Sequence, residues 1–476
     1  MKRRHFLSTS AFAGTWSLLS PLARAQGANE ELRVAVIGLN GRGGSHIDGI
    51  LSAKGARLVA LCDCDSKVLA RNVEKLGKKS VKVEAFADYR KLCESKDIDA
   101  VCIATPNHTH CLIAITAAAN GKHVYLEKPV SHNVWEGRKL AEAQAKYGKI
   151  IQHGFQRRSE TCWEEAFAWL KEGNLGKLRL ARGFCYKPRP SIGKVDAPKP
   201  APAEVDYELW AGPREPAPVK RGKFHYDWHW QSTYGNGDLG NQGPHQLDVC
   251  RWALGDPKEL PKSVISCGGR FAHDDDGDVA NTQIVFLGYE PAPILFEVRG
   301  LPKKGVDYKS GMDDFKGQQI GNLIEYEGGW LAGGHGPGCA VFDTAGKKVK
   351  EFKGGRSHFQ SWVDAIRSGK QDPIHSAESG HLSSALAHIG NISWDLGQGA
   401  SASAIQEAFP HPAAADAVVR MAANLAANGV DPAKQPVRLG AALTLDGAKE
   451  TFTGTHAEKA NALLKGSYRK GFEITV

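Results

Sequence analysis

The sequence has few of the features that mark membrane, metal-binding or nucleic-acid-binding proteins. Beyond the N-terminus, no stretch reaches the 18 or more uninterrupted apolar residues that a helix needs to cross a bilayer. The ten cysteines form no CxxC pair and no cysteine–histidine array with zinc spacing, so we expect no metal site. With 42% hydrophobic and 24% charged residues, the 476-residue chain has a soluble, globular composition and suits two domains with extensions.

The cysteines also give little support for a disulfide framework. Cys102 lies in the apolar run DAVCIAT, where a buried thiol acts as a small hydrophobic side chain. Cys62 and Cys64 are the nearest pair, but two residues apart around a strand end they do not form an obvious bridge. We therefore expect few disulfides.

The first 25 residues have the form of an export signal. The basic stretch KRR at residues 2–4 precedes a mildly apolar run over residues 6–19, and ARA at residues 23–25 has the small-x-small form of a cleavage site. The pattern RRxFL is typical of a twin-arginine signal, and the alternative is an ordinary secretory signal. We expect a periplasmic or exported protein. Cleavage removes four basic residues and no acidic ones, so the formal charge of +9 falls to +5, which argues against a nucleic-acid partner.

Residues 30–155 alternate short apolar strands with helical segments. This alternation is typical of a doubly wound, parallel α/β sheet of the Rossmann type. Asn133 and Glu136 predict the start of one helix, and Gly148 predicts its end. The predicted strands are residues 32–37, 57–61, 100–104, 123–126 and 150–153.

The pattern changes over residues 156–410. Strand-like runs such as KSVISCGGRF and TQIVFLGY predict a second α/β domain with a large, mainly antiparallel sheet. Residues 187–222 are rich in proline, lysine and glycine and predict a long ordered loop or lid. Residues 411–476 predict a helical extension with Val418, Met421 and Leu425 on one face.

A glycine-rich turn follows the first predicted strand. In LRVAVIGLNGRGG, Gly38 permits a tight turn, and Gly41 and Gly43 let backbone N–H groups approach a pyrophosphate at a helix N-terminus. Asn40 interrupts the strict G-x-G-x-x-G pattern, and Arg42 lies in the same turn. Taken alone, the motif also fits an ordinary glycine-rich turn, but its place between a strand and a helix favours dinucleotide binding.

Asp63 ends the second predicted strand. An acidic residue at this place receives the adenosine ribose hydroxyls and favours NAD over NADP, because it repels the additional phosphate. The alternative is that Asp63 only caps the helix that follows.

Two further loops follow predicted strands and face the same edge. In CIATPNHTH, Thr105 and Asn107 are candidates for lining the cofactor, and His108 and His110 for approaching its nicotinamide end; solvent-facing or helix-capping roles fit the histidines equally well. In YLEKPVS, Lys128 follows Glu127, and a partly desolvated lysine beside a nicotinamide can take a proton from a sugar hydroxyl.

An aromatic cluster occupies residues 224–255. His229 and Trp230 belong to a span with three tryptophans and three histidines, in which aromatic faces stack on sugar rings and polar side chains bind hydroxyls. Asn241, His245 and Asp248 share one face if their segment is helical. The alternative is that the tryptophans are core and His245 is structural.

These motifs together resemble the Gfo/Idh/MocA oxidoreductase family. The stretches GLNGRGG, EKP and GNGDLGNQGPHQLD occur in the family's order and spacing, and the resemblance covers residues 32–400. It implies a Rossmann domain, a second domain whose open sheet mediates assembly into a dimer or tetramer, and a cis bond before Pro129. It also implies that Lys128 contacts cofactor and substrate and that His245 is an acid or base.

Asn241 and the stretch GFQRR bear on proton transfer and on substrate binding. Asn241 stands where many relatives have aspartate, and an amide cannot act as a base, so proton transfer would fall to His245 or Lys128. Gln156 and Arg157, in GFQRR, lie where the family passes into its second domain and are substrate-side candidates; Arg157 fits a surface ion pair equally well.

The resemblance implies an exported NAD-dependent oxidoreductase that acts on a sugar, polyol or glycoside with tightly held NAD. An exported enzyme cannot exchange its nucleotide outside the cell and must regenerate it in place. One chemistry that does so couples the oxidation of one sugar to the reduction of another. One alternative is a redox-neutral glycosidase, which oxidises a sugar hydroxyl, eliminates the glycosidic substituent, adds water and returns the hydride. Another is a non-catalytic carbohydrate-binding protein on the same fold.

Overall fold

The computed structural model describes residues 31–305, 307–334 and 336–476. The export signal predicted over residues 1–25 lies outside the described residues. No helix in the described part is long and apolar enough to cross a membrane. All ten cysteines lie in these ranges as free thiols, nine of them buried.

The first domain is built on a parallel sheet. Its strands are β1 (Leu32–Ile37), β2 (Ala56–Cys62), β3 (Glu84–Phe86), β4 (Ala100–Ile103), β5 (His123–Leu126) and β6 (Ile151–His153). Its helices are α1 (Arg42–Ser52), α2 (Ser66–Gly77), α3 (Tyr89–Glu94), α4 (His110–Ala119) and α5 (Val134–Tyr147). The strand order β3-β2-β1-β4-β5-β6 is that of a doubly wound Rossmann sheet, as the alternation predicted.

Local signals in the sequence set the bounds of these elements. The side chain of Asn133 accepts a hydrogen bond from the Glu136 amide (2.9 Å) at the start of α5. Gly148 ends the helix in the left-handed conformation at φ +62°. The short strand β3 was not predicted, because its three residues carry too few apolar side chains to stand out.

The second domain is built on a twelve-stranded mixed sheet. Its strands are β7 (Leu178–Cys185), β8 (Ser263–Gly269), β9 (Thr282–Gly288), β10 (Ile294–Arg299), β11 (Ile320–Tyr326), β12 (Gly329–Gly333), β13 (Gly338–Asp343), β14 (Lys348–Lys353), β15 (Gln398–Gly399), β16 (Arg438–Leu439), β17 (Leu443–Asp446) and β18 (Thr451–Thr453). The main path runs β14-β13-β12-β11-β7-β10-β9-β8-β16-β15, and β17 joins β8 and β18. Only β7 and β10 pair in parallel, so the expected mainly antiparallel sheet is present.

The second half of the chain also contains the helices α6 (Thr161–Lys171), α7 (Tyr207–Ala211), α8 (Gly237–Asn241), α9 (Gly243–Ala253), α10 (His358–Ser368), α11 (Ala377–Asp395), α12 (Ala402–Ala408), α13 (Pro412–Ala427) and α14 (Ala457–Ala462). Helices α6, α9 and α11 pack on one face of the second sheet and α12 and α13 on the other, whereas α10 packs with the first sheet. On one face, Val418, Met421 and Leu425 of α13 pack with Phe286 and Leu295 of the sheet. The chain's own helices therefore bury part of a face that the resemblance assigned to assembly.

The C-terminal segment differs from the predicted helical extension over residues 411–476. After α13, the chain adds the strands β16, β17 and β18 to the edge of the second sheet. These strands are two to four residues long and lack a strong sequence pattern; β16 and β17 are defined by pairing with β8, and β18 by pairing with β17.

Residues 187–231, which we call the strap, cross from the second domain to the first. The Ser66 amide donates to the Glu204 carbonyl (2.9 Å), and the Asp206 amide donates to the Cys64 carbonyl (2.9 Å). These bonds hold the strap against the end of β2. The segment predicted as a long loop or lid is therefore ordered backbone that includes α7.

Residues 463–476, which we call the tail, fasten the strap from outside. Phe472 and Ile474 are buried in the core of the first domain. The side chain of Arg469 donates to the Gly212 carbonyl (2.6 Å), and the Arg469 amide donates to the Pro213 carbonyl (3.2 Å). The tail and the strap therefore meet on the surface of the first domain.

Buried histidines make the fold sensitive to acid. Burial lowers the pKa of His108, His153 and His388 to about 3 each. In the unfolded chain, these histidines become protonated as the pH falls below their ordinary pKa of about 6.5. In the folded protein, the same histidines stay neutral until the pH is much lower. This contribution to stability is complete above a pH of about 6.5 and declines as the pH falls from there towards about 3.

We expect His388→Gln to reduce this pH dependence. Removing one depressed histidine should lower the slope of unfolding free energy against pH, by up to about 1.4 kcal/mol per pH unit, within that window. Denaturant unfolding at several pH values measures the slope. His456→Gln, at an exposed residue, is the control. An unchanged slope for His388→Gln would contradict the expectation.

Candidate functional site

A cleft lies at the carboxyl ends of β1, β2 and β4, where a doubly wound sheet binds its ligand. It encloses about 720 Å³ of space, including its open mouth. Gly38, Asp63 and Thr105 line it from the first domain, and Trp210 and Trp228 line it from the strap. The predicted cofactor loops therefore converge, and the strap forms the opposite wall.

The glycine-rich turn fits a dinucleotide. Gly38 has φ +83°, and a Cβ there would lie 2.8 Å from the Ala104 carbonyl carbon. A Cβ on Gly43 would lie 1.9 Å from the Gly38 oxygen, so only glycine permits this close packing of turn and helix. Beside Gly41 and Gly44 the space is open, which leaves room for a pyrophosphate at the start of α1.

Asp63 is fixed as a wall of the cleft. Its carboxylate accepts hydrogen bonds from the Leu39 amide (2.8 Å) and the Asp65 amide (3.0 Å). The cap of α2 is Asp65, which accepts from the Lys67 and Val68 amides, so the capping alternative for Asp63 is wrong. Asp63 therefore presents its carboxylate to the cleft at the end of β2.

Glu127 joins several predicted residues. Its carboxylate accepts from Arg42 (2.6 Å) and Gln156 (3.2 Å) and lies 3.1 Å from the His46 ring. Burial acts to raise the pKa of Glu127, but the hydrogen bond from His46 and the charge of Arg42 hold it well below its usual range. Arg42 and Gln156, predicted as cofactor and substrate ligands, thus share a buried anion at the mouth of the site.

Lys128, predicted as catalytic together with His245, contacts Asn241, a predicted substrate-binding residue. The Lys128 ammonium donates to the Asn241 backbone carbonyl (2.6 Å) and lies 3.4 Å from its side-chain oxygen. Burial lowers the pKa of Lys128, and burial together with the Lys128 charge lowers the pKa of His245 well below its usual range. No described residue hydrogen-bonds the His245 ring, whose nitrogens are free for a ligand. The Lys128–Pro129 bond is cis, as the resemblance implied.

The loop after β4 serves structure more than the site. The His110 ring nitrogens lie 2.6 Å from the Pro129 carbonyl and 2.7 Å from the Thr105 carbonyl. The His108 ring contacts the Trp210 carbonyl (2.8 Å), and Asn107 donates to the Asn236 side chain (3.1 Å). Thr105 lines the cleft as predicted, but both histidine rings join loops and neither is free to approach a nicotinamide.

The expectation that Asp248 binds substrate is wrong. The helix is interrupted between α8 and α9, so Asn241, His245 and Asp248 do not form one continuous helical face. The fully buried Asp248 carboxylate accepts from Arg158 (2.7 Å and 2.8 Å) and Ser383 (2.6 Å). Burial acts to raise the pKa of Asp248, but the Arg158 charge lowers it to about 2.

Arg157 is likewise held by its own domain. Its guanidinium donates to Glu160 (3.2 Å) and to the Gly334 carbonyl, and it lies over the Trp163 ring. The alternative of an ion pair is correct for this residue, although the pair is largely buried.

The aromatic cluster divides between core and site. Trp230 is buried, and Arg189 lies 5.4 Å from its ring centre. His229 stacks on Trp228 with ring centres 3.7 Å apart, and burial, opposed by a bond to the Tyr226 carbonyl, lowers the pKa of His229 to about 4. His229 remains a substrate-side candidate.

Sequence reasoning missed two pairs that shape the site. Arg189 of the strap donates twice to the buried carboxylate of Asp238 (2.8 Å and 3.0 Å), which lies near Lys128 and opposes the lowering of its pKa. His225 of the strap contacts Asp65 (2.9 Å) beside the cleft. Each pair joins residues at least 49 positions apart, so no local pattern marks it.

Two family models match the chain. A Gfo/Idh/MocA model described as an oxidoreductase family with an NAD-binding Rossmann fold matches residues 32–155. A second, described as the C-terminal alpha/beta domain of that oxidoreductase family, matches residues 176–290. Both matches fall on the domains that contribute the cleft and the Lys128 centre.

Similar proteins act on inositol or carry a glycosidase name. Inositol 2-dehydrogenase of Rubrobacter xylanophilus is 33% identical over 161 residues, 33% of this chain and 45% of that protein. A glycosyl hydrolase family 109 protein of Streptomyces niveus is 42% identical over 116 residues, 23% of this chain and 24% of that protein. The chain thus spans less than half the length of these relatives.

A solved structure shares the fold. The WlbA dehydrogenase of Bordetella pertussis, solved with NADH and UDP-GlcNAcA, matches with a TM-score of 0.55 at 18% identity. The match covers 75% of this chain and 95% of that one.

We expect Asp248→Asn to act on stability. Removing the buried charge leaves Arg158 without its full partner and should lower the free energy of unfolding by about 3–5 kcal/mol. Denaturant unfolding measures the change. Asp97→Asn, at a carboxylate 88% exposed, should cost less than about 0.5 kcal/mol. Equal stability of both variants would contradict the structural role of Asp248.

Proposed function

This chain belongs to the Gfo/Idh/MocA oxidoreductase family, and we propose that it is an exported NAD-dependent enzyme that oxidises a sugar, polyol or glycoside with tightly held cofactor. The observation that carries the proposal is the pair Lys128 and His245, two half-buried basic groups, of which the Lys128 charge acts on the His245 ring. Both side chains have lowered pKa values, which suits proton transfer to and from a substrate hydroxyl.

The nucleotide would be held by the chain's own residues. The turn at Gly41 and Gly43 would receive the pyrophosphate, and Asp63 would receive the ribose hydroxyls. Bound NAD would accept and return a hydride. An acid at position 63 favours NAD, because its charge opposes the additional phosphate of NADP.

Proton transfer falls to His245. Its ring is neutral near neutral pH because its pKa is lowered, so a ring nitrogen can accept the proton of a substrate hydroxyl. One N–H of the Lys128 ammonium donates to the Asn241 carbonyl. The ammonium has further N–H donors, which would orient the oxygen of the substrate hydroxyl. Asn241 replaces a possible carboxylate with an amide, which leaves the histidine as the base.

The strap supports tight retention of the cofactor. It places Trp210 and Trp228 on the cleft wall, and the His225–Asp65 contact holds it to the first domain. A twin-arginine route exports folded proteins, so the nucleotide would leave the cytoplasm inside the cleft. Such a cofactor must be regenerated by the same enzyme.

Regeneration in place gives the second candidate, a redox-neutral glycosidase. The wall that the strap gives the cleft and the likeness to a glycosyl hydrolase family 109 protein both favour it. Transient oxidation of a hydroxyl acidifies the neighbouring C–H, elimination breaks the glycosidic bond, and water addition with hydride return restores the sugar. The third candidate is a non-catalytic sugar-binding protein. Such a protein would not need the Lys128–His245 pair.

We expect the purified protein to release stoichiometric NAD when denatured. His225→Ala removes a contact between strap and first domain, so this variant should lose nucleotide faster during dialysis. Mass spectrometry of the released nucleotide measures both. Lys91→Ala, which removes an exposed ion pair within α3 of the same domain, is the control. Stoichiometric NADP would contradict the role of Asp63, and an empty protein that binds neither would contradict the proposal.

We expect Lys128→Met and His245→Asn to lower kcat/KM by about 10²–10⁴-fold while the fold is kept. Turnover of sugars, polyols and glycosides without added NAD measures the loss, with Lys146→Met at an exposed residue as control. Because the base must be neutral, the acid limb of the wild-type pH profile should lie below pH 6.5, and His245→Asn should abolish it. Unchanged activity in both variants would overturn the site assignment.

A further inference from the structure

The nucleotide cleft has a wall that the first domain does not supply. An open doubly wound sheet offers its ligand the carboxyl ends of its strands, here those of β1, β2 and β4. In this chain the strap adds an opposite side, which consists of Leu209, Trp210, His225 and Trp228 and which we call the strap wall. The cleft is therefore shared between the Rossmann sheet and a segment of the second half of the chain.

The cleft lies at the adenosine end of the nucleotide rather than at its nicotinamide end. Asp63, the acid that would receive the adenosine ribose, lines it, whereas Lys128 and His245 do not line it. The strap reaches the same end, because the Asp206 amide donates to the Cys64 carbonyl (2.9 Å) immediately after Asp63. The strap wall is therefore next to the place of the adenosine ribose and the base that it carries.

The lining of this end suits a purine base. Pro106 and Ile113 of the first domain and Leu209 of the strap wall give it apolar surface. Tyr89 lines the cleft as well, and its hydroxyl forms no hydrogen bond with a described residue. The His225 side chain is 29% exposed, and only its Nε2 atom contacts a carboxylate. A purine has apolar faces and an edge of nitrogen atoms, so it matches an apolar slot with a few free polar groups.

The tail fastens α7, the helix that carries part of the strap wall. The Arg469 side chain donates to the Gly212 carbonyl (2.6 Å) just after the helix and forms an ion pair with Glu208 inside it. From the strap, the Arg214 side chain donates to the Ser467 carbonyl (2.8 Å) of the tail. Hydrogen bonds in both directions therefore hold α7 to the tail.

The tail also supports the cleft through apolar packing. Phe472 belongs to the same hydrophobic cluster as Leu209, Tyr89 and Ile113, all three of which line the cleft. Leu209 lies in α7, whereas Tyr89 and Ile113 lie in α3 and α4 of the first domain. The packing around Phe472 is therefore continuous with both sides of the cleft.

We propose that the strap wall forms a subsite for the adenosine half of the nucleotide and that the tail positions this wall. His225 and Leu209 contact the bound adenosine, and Arg469 is a positioning residue that acts through α7. The inference rests on the proposed function, since it concerns the nucleotide of the same enzyme. It extends the nucleotide site beyond the Rossmann domain.

Calorimetric titration tests the subsite, with purified protein that charcoal has stripped of nucleotide. The probes are NAD, AMP and nicotinamide mononucleotide, so that each half of the dinucleotide is also measured by itself. His225→Leu keeps a side chain of similar size but removes the ring nitrogens, and it should weaken the binding of NAD and AMP by about three- to tenfold. Its affinity for nicotinamide mononucleotide should equal that of the wild type.

Arg469→Ala tests the positioning role. This variant loses the bonds from the tail to α7 and should weaken NAD and AMP by a similar factor, but not nicotinamide mononucleotide. Arg469→Lys keeps the charge beside Glu208 and should restore part of the affinity for AMP. Lys470→Ala, at the exposed neighbouring residue, is the matched control and should change no affinity.

The outcomes separate the subsite from the cofactor itself. Unchanged affinity for AMP in His225→Leu would overturn the subsite and leave NAD as the cofactor. In Arg469→Ala, unchanged affinity for AMP, or an equal weakening of nicotinamide mononucleotide, would overturn the positioning role of the tail. A wild-type protein that binds none of the three nucleotides would overturn the proposed function as well.

Discussion

The buried carboxylate of Glu127 is the constraint on which the site depends. It joins Arg42 at the start of α1, Gln156 after β6 and its own neighbour Lys128. An uncompensated charge at this depth would be costly, so its partners must be in place for the sheet edge to form. The glycine-rich turn, Lys128 and the entry to the second domain are consequently all in contact with a single anion.

Nearby charges also determine the protonation states of Lys128 and His245. Lys128 and His245 share a desolvated space in which two positive charges would repel, so the neutral form of His245 is favoured. The negative charge of Asp238 favours the charged form of Lys128, and Arg189 forms an ion pair with Asp238. The strap thus influences the reacting groups through one ion pair while it also bounds the cofactor.

The sequence predicted the features that depend on neighbouring residues. The turn at Gly38, the acid at position 63 and Lys128 each follow a short apolar strand, and a strand end is visible in a local pattern. Asp248 and the strap could not be predicted in this way. The partner of Asp248 is Arg158, 90 positions earlier, and only the folded chain shows that this pair satisfies a charge that otherwise suggests a ligand.

The tail has a consequence for the order of events during synthesis. The sheet that forms the floor of the cleft is complete by residue 153, whereas the strap is fastened by residues such as Arg469 and Phe472. The ribosome therefore synthesises Arg469 and Phe472 long after the residues of the first sheet. Until the tail is made, the strap lacks its hydrogen bonds to Arg469, so the wall of the cleft opposite the sheet is the last part of the cleft to be fastened.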